Sequence, residues 1–166
     1  KKTWIFDLET LSLFTATFLD KDSDELRVFV ISDSRDDRKG LFNFLNNEVA
    51  GLIGYNSIHF DAQVIEYMYR NPNCTATDIR RYAEIITSGE NRRPDVPEWQ
   101  LRHKHLDLFR ALSLSTKARR TGLKWCEYQM DMENIEDMPS QGEGKNWEEM
   151  VLSYNLNPLL TLILYV

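Results

Sequence analysis

The sequence predicts an α/β layer fold with a mixed sheet of about five strands, the first three antiparallel, flanked by helices. Three observations carry that expectation. An apolar, aromatic run at Trp4, Ile5 and Phe6 opens the chain as a buried strand. Two β-rich runs follow it closely, so strands come first. Helical spacing and short apolar runs then alternate down the chain, which is the signature of strands covered by helices.

Thr3 to Leu8 reads as the first strand. Leu13 to Leu19 and Leu26 to Ile31 read as a hairpin, with Asp20-Lys21-Asp22-Ser23-Asp24 as its charged turn. Asp36 to Val49 has helical spacing at Leu41, Phe42, Phe44, Leu45 and Val49. Gly51 to Tyr55 is a short strand bounded by glycines. Ser57 to Tyr69 and Thr77 to Thr87 read as helices separated at Pro72, and Gly89 to Pro97 as a polar loop. His105 to Phe109 is a fifth short strand. Gly122 to Met130 reads as a helix, Asp131 to Gly144 as an acidic connection, and Trp147 onward as a helix again.

The chain has 166 residues, and its 26 acidic and 20 basic side chains give a formal net charge of −6. That length suits one domain with a proper core, residues 1–166. With 42% hydrophobic and 28% charged residues the composition is that of a globular protein, not a disordered or fibrous one. No apolar run approaches the ~20 residues that span a bilayer, so no membrane is expected. Two cysteines, Cys74 and Cys126, make no disulfide framework and no zinc motif, and an intracellular, cytoplasmic setting is expected. The acidic balance argues against coating nucleic acid by bulk charge, while leaving room for acids that hold metal ions. The chain opens Lys1-Lys2 without Met and stops at Val166 inside an apolar stretch, which suggests a fragment or a join of separate stretches.

The sharpest local feature is Trp4-Ile-Phe-Asp-Leu-Glu-Thr10. Side chains alternate along a strand, so Asp7 and Glu9 project from one face, about 7 Å apart. Two carboxylates at the end of an apolar strand repel each other and lose hydration, and a divalent cation is the usual compensation. The plainer alternative is a strand that ends in solvated acids. The second feature is Gly54-Tyr-Asn-Ser-Ile-His-Phe-Asp61, where a strand gives way to a helix. Asn56 and Ser57 are expected to cap that helix and Asp61 to lie on its first turn, beside the mouth of the sheet. Here the plainer alternative is a capped helix with an acid near its dipole.

Taken together, "FDLET" followed roughly fifty residues later by "GYNSIHFD" resembles the first two motifs of the DEDD (DnaQ-like) 3′–5′ exonucleases. The wording is most similar to proofreading exonuclease domains of DNA polymerases, and the order of elements resembles that family's ribonuclease-H-like fold over nearly the whole chain. His105 to Phe109, then Gly122-Leu-Lys-Trp125, resemble the family's later strand and following helix.

The resemblance implies a site in which acids bind two Mg²⁺ or Mn²⁺ ions at the 3′ end of DNA, with RNA left open. One ion aligns the attacking hydroxide and the other stabilises the leaving 3′ oxygen. Carried across, Asp7 bridges both ions, Glu9 binds the nucleophile-side ion, and Asp61 holds the leaving-group ion. Asn56, Phe60 and the stretch ending at Thr10 hold the terminal nucleotide. All-oxygen ligands with room for water also suit Mg²⁺ on chemical grounds. Partners implied are single-stranded DNA or DNA 3′ ends, and other replication domains or proteins.

The third motif departs from the family. In the tyrosine subclass, Tyr-x-x-x-Asp places both side chains on one helix face. Here Tyr154 stands in register to orient the attacking water, but Pro158 occupies the aspartate position, where it can bind no metal. Two explanations compete: a degenerate module with weak or no catalysis, or residues missing between Asn157 and Pro158. The ragged chain ends favour the second.

Other candidates are weaker. His59, beside Phe60, could approach substrate but reads better as a partly exposed residue at a helix start. His103 and His105 share a strand face by spacing but have no third ligand nearby. Asp107 is expected to cap or brace the fifth strand. Lys117, Arg119, Arg120 and Lys124 form the best basic cluster, and Lys117 and Arg119 are candidates for phosphate contacts. Asp131 to Glu149 reads as a solvated acidic segment, and Trp125 and Trp147 as packing residues. An endonuclease of the ribonuclease H type fits less well, because two acids on the first strand suit the exonucleases better.

Overall fold

The computed structural model describes residues 1–88 and 94–113, and the remaining positions lie outside the account that follows. Five strands and four helices succeed one another in this span. They are β1 (Lys2–Thr10), β2 (Phe14–Asp20), β3 (Leu26–Ile31), α1 (Arg38–Asn47), β4 (Val49–Gly54), α2 (Asp61–Arg70), α3 (Ala76–Thr87), β5 (His105–Asp107) and α4 (Leu108–Ser113), with one 3-10 turn at Glu98–Gln100. The strands make a single sheet in the order β3-β2-β1-β4-β5. β1 to β3 are antiparallel neighbours, whereas β4 and β5 run parallel to β1. This is the mixed five-stranded sheet, flanked by helices, that the sequence predicts.

Alternation along β1 divides the molecule into two faces. Trp4, Phe6 and Leu8 enter the main core with Ala16 and Phe18 of β2, Leu41, Phe44 and Leu45 of α1, and Val64, Ile65 and Met68 of α2. Rings interlock there: Trp4 meets Phe44 edge-on at 4.9 Å between centroids, and Phe18 meets Phe44 at 4.9 Å. Truncating such a fully buried ring to Ala costs about 3–5 kcal/mol. The opposite face carries Ile5, packed with Ile53 and Leu108. Asp7 and Glu9 alternate in step with Ile5, so they belong to this second, thinner face.

The hairpin turn follows from one acid. Asp20 is buried, and its carboxylate accepts from Ser23 Oγ at 2.7 Å, Asp22 N at 3.2 Å and Lys2 Nζ at 2.8 Å. The charged turn is thus an ordered loop around a paired carboxylate.

Several boundaries differ from the sequence reading. Val49 begins β4 instead of ending α1, because the helix closes at Asn47 and a β-branched residue then pairs with Lys2. Phe109 lies in α4, since β5 ends at Asp107. α3 starts at Ala76 because Thr75 and Asp78 form a reciprocal capping box. The polar loop before Pro97 is not wholly solvated. Val96 is buried, and Gln63 of α2 accepts from its N–H at 2.9 Å while donating to its carbonyl at 3.0 Å. His103 precedes β5, so it does not share a strand face with His105. Its Nε2 lies 3.2 Å from the Tyr69 hydroxyl, and the His105 ring sits 5.7 Å from that of Phe6. Burial and the neighbouring His103 pull the His105 imidazole down to about 4, which keeps it neutral in the core. Among the described residues no helix is long and apolar enough to cross a membrane.

Candidate active site at the carboxyl edge of the sheet

β1, β4 and β5 run parallel, so their carboxyl ends emerge along one edge, where β4 and β5 lead into helices. Ligands of open α/β sheets bind along such edges. Asp7 and Glu9 lie near the end of β1, and Asp107 ends β5 directly opposite Gly54, the last residue of β4.

Asp7 and Glu9 fall in register with Thr17 and Thr15 of β2, both fully buried. Cross-strand partners share a face, so this end of the sheet is a polar strip set into an apolar surround. Burial lifts the Glu9 carboxyl from an ordinary 4.5 to about 7.

Asp61 arrives from the other side of the crevice. It is the first residue of α2, is buried, and its Oδ1 accepts from the Leu8 backbone N–H at 3.2 Å. This bond ties the second motif to the first. Burial pushes the Asp61 carboxyl well above the usual carboxylate range, and the charges of Glu9 and Asp107 push the same way. Only the bonds from its own N–H and that of Leu8 oppose them.

The link between β4 and α2 is unlike the expected cap. Asn56 takes a left-handed conformation with φ 55°, Ser57 to Phe60 make turns, and Phe60 occupies the N-cap position with no side-chain capping bond. Neither Asn56 nor Ser57 caps α2, and the Ser57 hydroxyl is buried without a hydrogen-bond partner. The chain must turn sharply after β4, and only glycine fits its last position. A Cβ on Gly54 would stand 2.6 Å from Ser57 Cβ and 2.9 Å from Phe6 Cε1.

Asp107 does more than brace its own strand. Its Oδ1 accepts from the backbone N–H groups of Asn56 at 2.8 Å and Phe109 at 3.0 Å, and its Oδ2 accepts from Ile58 N–H at 3.1 Å. The strongest trace of this role in the sequence is an acid placed at the end of a short strand, which names no partner.

The structure therefore brings together Asp7, Glu9, Asp61, Asn56 and Thr10 at or beside one edge. The Asn56 side chain is exposed, while Phe60 is half-buried and packs against the main core. His59 is likewise half-buried, with Nε2 3.3 Å from Arg110 Nη2. Lys117, Arg119, Tyr154 and Pro158 lie outside the described residues, as do Arg120, Lys124, Trp125, Trp147 and the acidic stretch from Asp131 to Glu149.

Among the described residues no three His, Cys, Asp or Glu side chains stand close enough to form a ready-made metal cage. The chemistry of the donors still fits a hard divalent cation. They are all oxygens, the carboxylates of Asp7, Glu9 and Asp61. Mg²⁺ is commonly held by one or two carboxylates, several waters and substrate phosphates, which calls for no closed protein cage.

No family model and no curated protein sequence matches the chain. Among solved structures it is similar to the family B DNA polymerase of the hyperthermophilic archaeon Pyrobaculum calidifontis. The TM-score is 0.58 at 16% identity, over 98% of this chain and 23% of the polymerase. At that identity the likeness is one of fold, and the chain spans about a quarter of the polymerase's length. It agrees with the ribonuclease-H-like arrangement of the sheet.

Proposed function

We propose that this chain is a metal-dependent 3′–5′ exonuclease domain that hydrolyses the terminal phosphodiester of DNA, in replication or proofreading. The single observation that carries the reading is the bond from Leu8 N–H to Asp61 Oδ1. It sets an acid of the second motif against a strand that bears two more. Similarity in fold to a DNA polymerase makes DNA the favoured substrate.

Asp7, Glu9 and Asp61 are the residues that would hold Mg²⁺ or Mn²⁺. Two such ions, when bound, would lower the pKa of an attacking water and offset charge on the leaving 3′ oxygen. The chain's own contribution is positioning. Asp7 and Glu9 are held two residues apart on a regular strand, and the Leu8 amide orients Asp61 toward that strand. Burial of Asp61 and partial burial of Glu9 strengthen their pull on any cation. Asn56, Phe60 and Thr10 would hold the terminal nucleotide. Tyr154 would orient the water, and Lys117 and Arg119 would contact phosphates farther along the strand.

One sequence observation favours a second reading. Pro158 stands where the tyrosine subclass has its fourth acid, so a catalytically silent nucleic-acid- or protein-binding module of the same fold is the alternative. A 3′-labelled oligonucleotide incubated with the chain and millimolar Mg²⁺ or Mn²⁺ separates the two. Stepwise trimming that an Asp7→Ala variant lowers by ~10²-fold or more supports the enzyme, the scale at which loss of one electrostatic stabiliser is felt. Absence of metal-dependent trimming at any concentration tested leaves the binding module. Trimming that survives Asp7→Ala moves the site elsewhere.

A further inference from the structure

We propose that Asp107 is a positioning residue for the metal centre, a role that rests on the reading above. It acts through the loop between β4 and α2, whose backbone N–H groups reach both of its carboxylate oxygens.

The geometry forms a chain of fixed contacts. Asp107 is buried at the end of β5, and both carboxylate oxygens are engaged by backbone N–H donors of Asn56, Ile58 and Phe109 at 2.8–3.1 Å. Two of the three donors belong to the turn that leads into α2. One is Asn56, whose backbone takes the left-handed conformation that asparagine enters more readily than most residues. From that turn the constraint passes straight into the helix. Ser57 O accepts from Ala62 N at 2.8 Å, Phe60 O from Val64 N at 3.0 Å, and Ile58 O from Gln63 Nε2 at 2.9 Å. Ala62 and Gln63 are the two residues after Asp61. The carboxylate of Asp107 therefore fixes where α2 begins, and so where Asp61 meets Leu8.

No neutral side chain substitutes easily. An amide in place of the carboxylate would turn a donor toward an N–H that needs an acceptor, which leaves a buried amide unpaired. Outer-shell partners of metal ligands commonly change metal affinity 10–100-fold when altered.

The test needs a control that separates positioning from simple support of the fold. Glu66 supplies it: it is equally buried on α2, accepts from Arg102 N at 2.8 Å and pairs with Arg102 Nε at 3.4 Å, and neither of these bonds involves residues 55–58. Mn²⁺ affinity would be measured by electron paramagnetic resonance on the wild-type chain, Asp107→Asn and Glu66→Gln, with unfolding midpoints in EDTA alongside. Both variants should lower the midpoint, but only Asp107→Asn should weaken Mn²⁺ binding tenfold or more, with Glu66→Gln within twofold of wild type. Equal Mn²⁺ affinity in the two folded variants overturns the positioning role while leaving the metal site in place. No Mn²⁺ binding by the wild type overturns the metal reading itself, and this role with it. Should Asp107→Asn not fold, amide exchange of the wild type decides. Bound Mn²⁺ should slow exchange at Asn56 and Ile58 at least threefold, and unchanged exchange with Mn²⁺ bound overturns the proposal.

Discussion

The Leu8 backbone N–H donates to Oδ1 of Asp61 across 3.2 Å and fastens the start of α2 to the end of β1. These residues are separated in the chain by the whole β2–β3 hairpin, α1 and β4. Their contact brings a third acid to a strand that already carries two.

Above about pH 8 the Asp61 carboxyl is charged while buried and faced by Glu9 and Asp107, so removing that charge should help the metal-free fold there and harm metal binding. Asp61→Asn keeps an oxygen for Leu8 N–H while removing the charge. In EDTA above that pH its melting temperature should equal or exceed that of wild type, by up to about 1 kcal/mol or ~2–4 °C. Its stabilisation by added Mn²⁺ should vanish. Differential scanning fluorimetry with and without Mn²⁺ reads both, and a large drop in EDTA would contradict the like-charge account.

Stability should fall as pH rises from about 5 to 8 when no metal is present. Glu9 titrates near an ordinary 4.5 in the unfolded chain and near 7 in the folded one. Between those values the unfolded chain has lost a proton that the folded chain keeps, so rising pH favours unfolding. Above about 7 the whole loss is in place. Its size is on the order of 1–3 kcal/mol, since partial exposure of Glu9 screens the charge, and Asp61 adds in the same direction. Thermal unfolding in EDTA at successive pH values should show this slope, and a Glu9→Gln variant should flatten it.

Two glycines should answer oppositely to alanine. Gly54→Ala places a methyl 2.6 Å from Ser57 Cβ and 2.9 Å from Phe6 Cε1, and should cost about 1–3 kcal/mol of stability. Gly40, inside α1, has its nearest neighbour, Phe29 Cε1, at an ordinary 3.5 Å. Gly40→Ala should therefore gain about 0.5–1 kcal/mol through helix propensity. Urea midpoints of the two variants check both signs.

The capping box of α3 offers a local test. Thr75 Oγ1 accepts from Asp78 N at 3.1 Å, and Asp78 Oδ2 accepts from Thr75 N at 2.9 Å. Thr75→Ala should cost about 1 kcal/mol. Thr75→Ser keeps the acceptor and should cost far less, by the same urea midpoints.

Much of the fold is readable from local pattern. Alternation in β1 places Trp4, Phe6 and Leu8 on one face and Ile5, Asp7 and Glu9 on the other, because a strand has a period of two. The cap of α3 is equally local, since Thr75 and Asp78 are three residues apart, although the sequence reading starts that helix at Thr77. Capping of α2 misled for the same reason. Asn56 and Ser57 are cap-forming residue types, yet Asn56 turns left-handed and its amide bonds to an acid fifty-one positions away. His103 and His105 have the spacing of a strand face, but the strand begins only at His105.

By itself the sequence determined the strand of acids, the hairpin, the helix faces and the positions of Asp7, Glu9 and Asp61, since each depends on neighbours within a few residues. The tertiary structure alone decided that Asp61 meets Leu8, that Asp107 holds the turn before α2, and that burial raises the carboxyls of Glu9 and Asp61. Those outcomes depend on which groups lose water and which distant backbone amides they find. The order of strands in the sheet sets both, and local spacing carries no record of either.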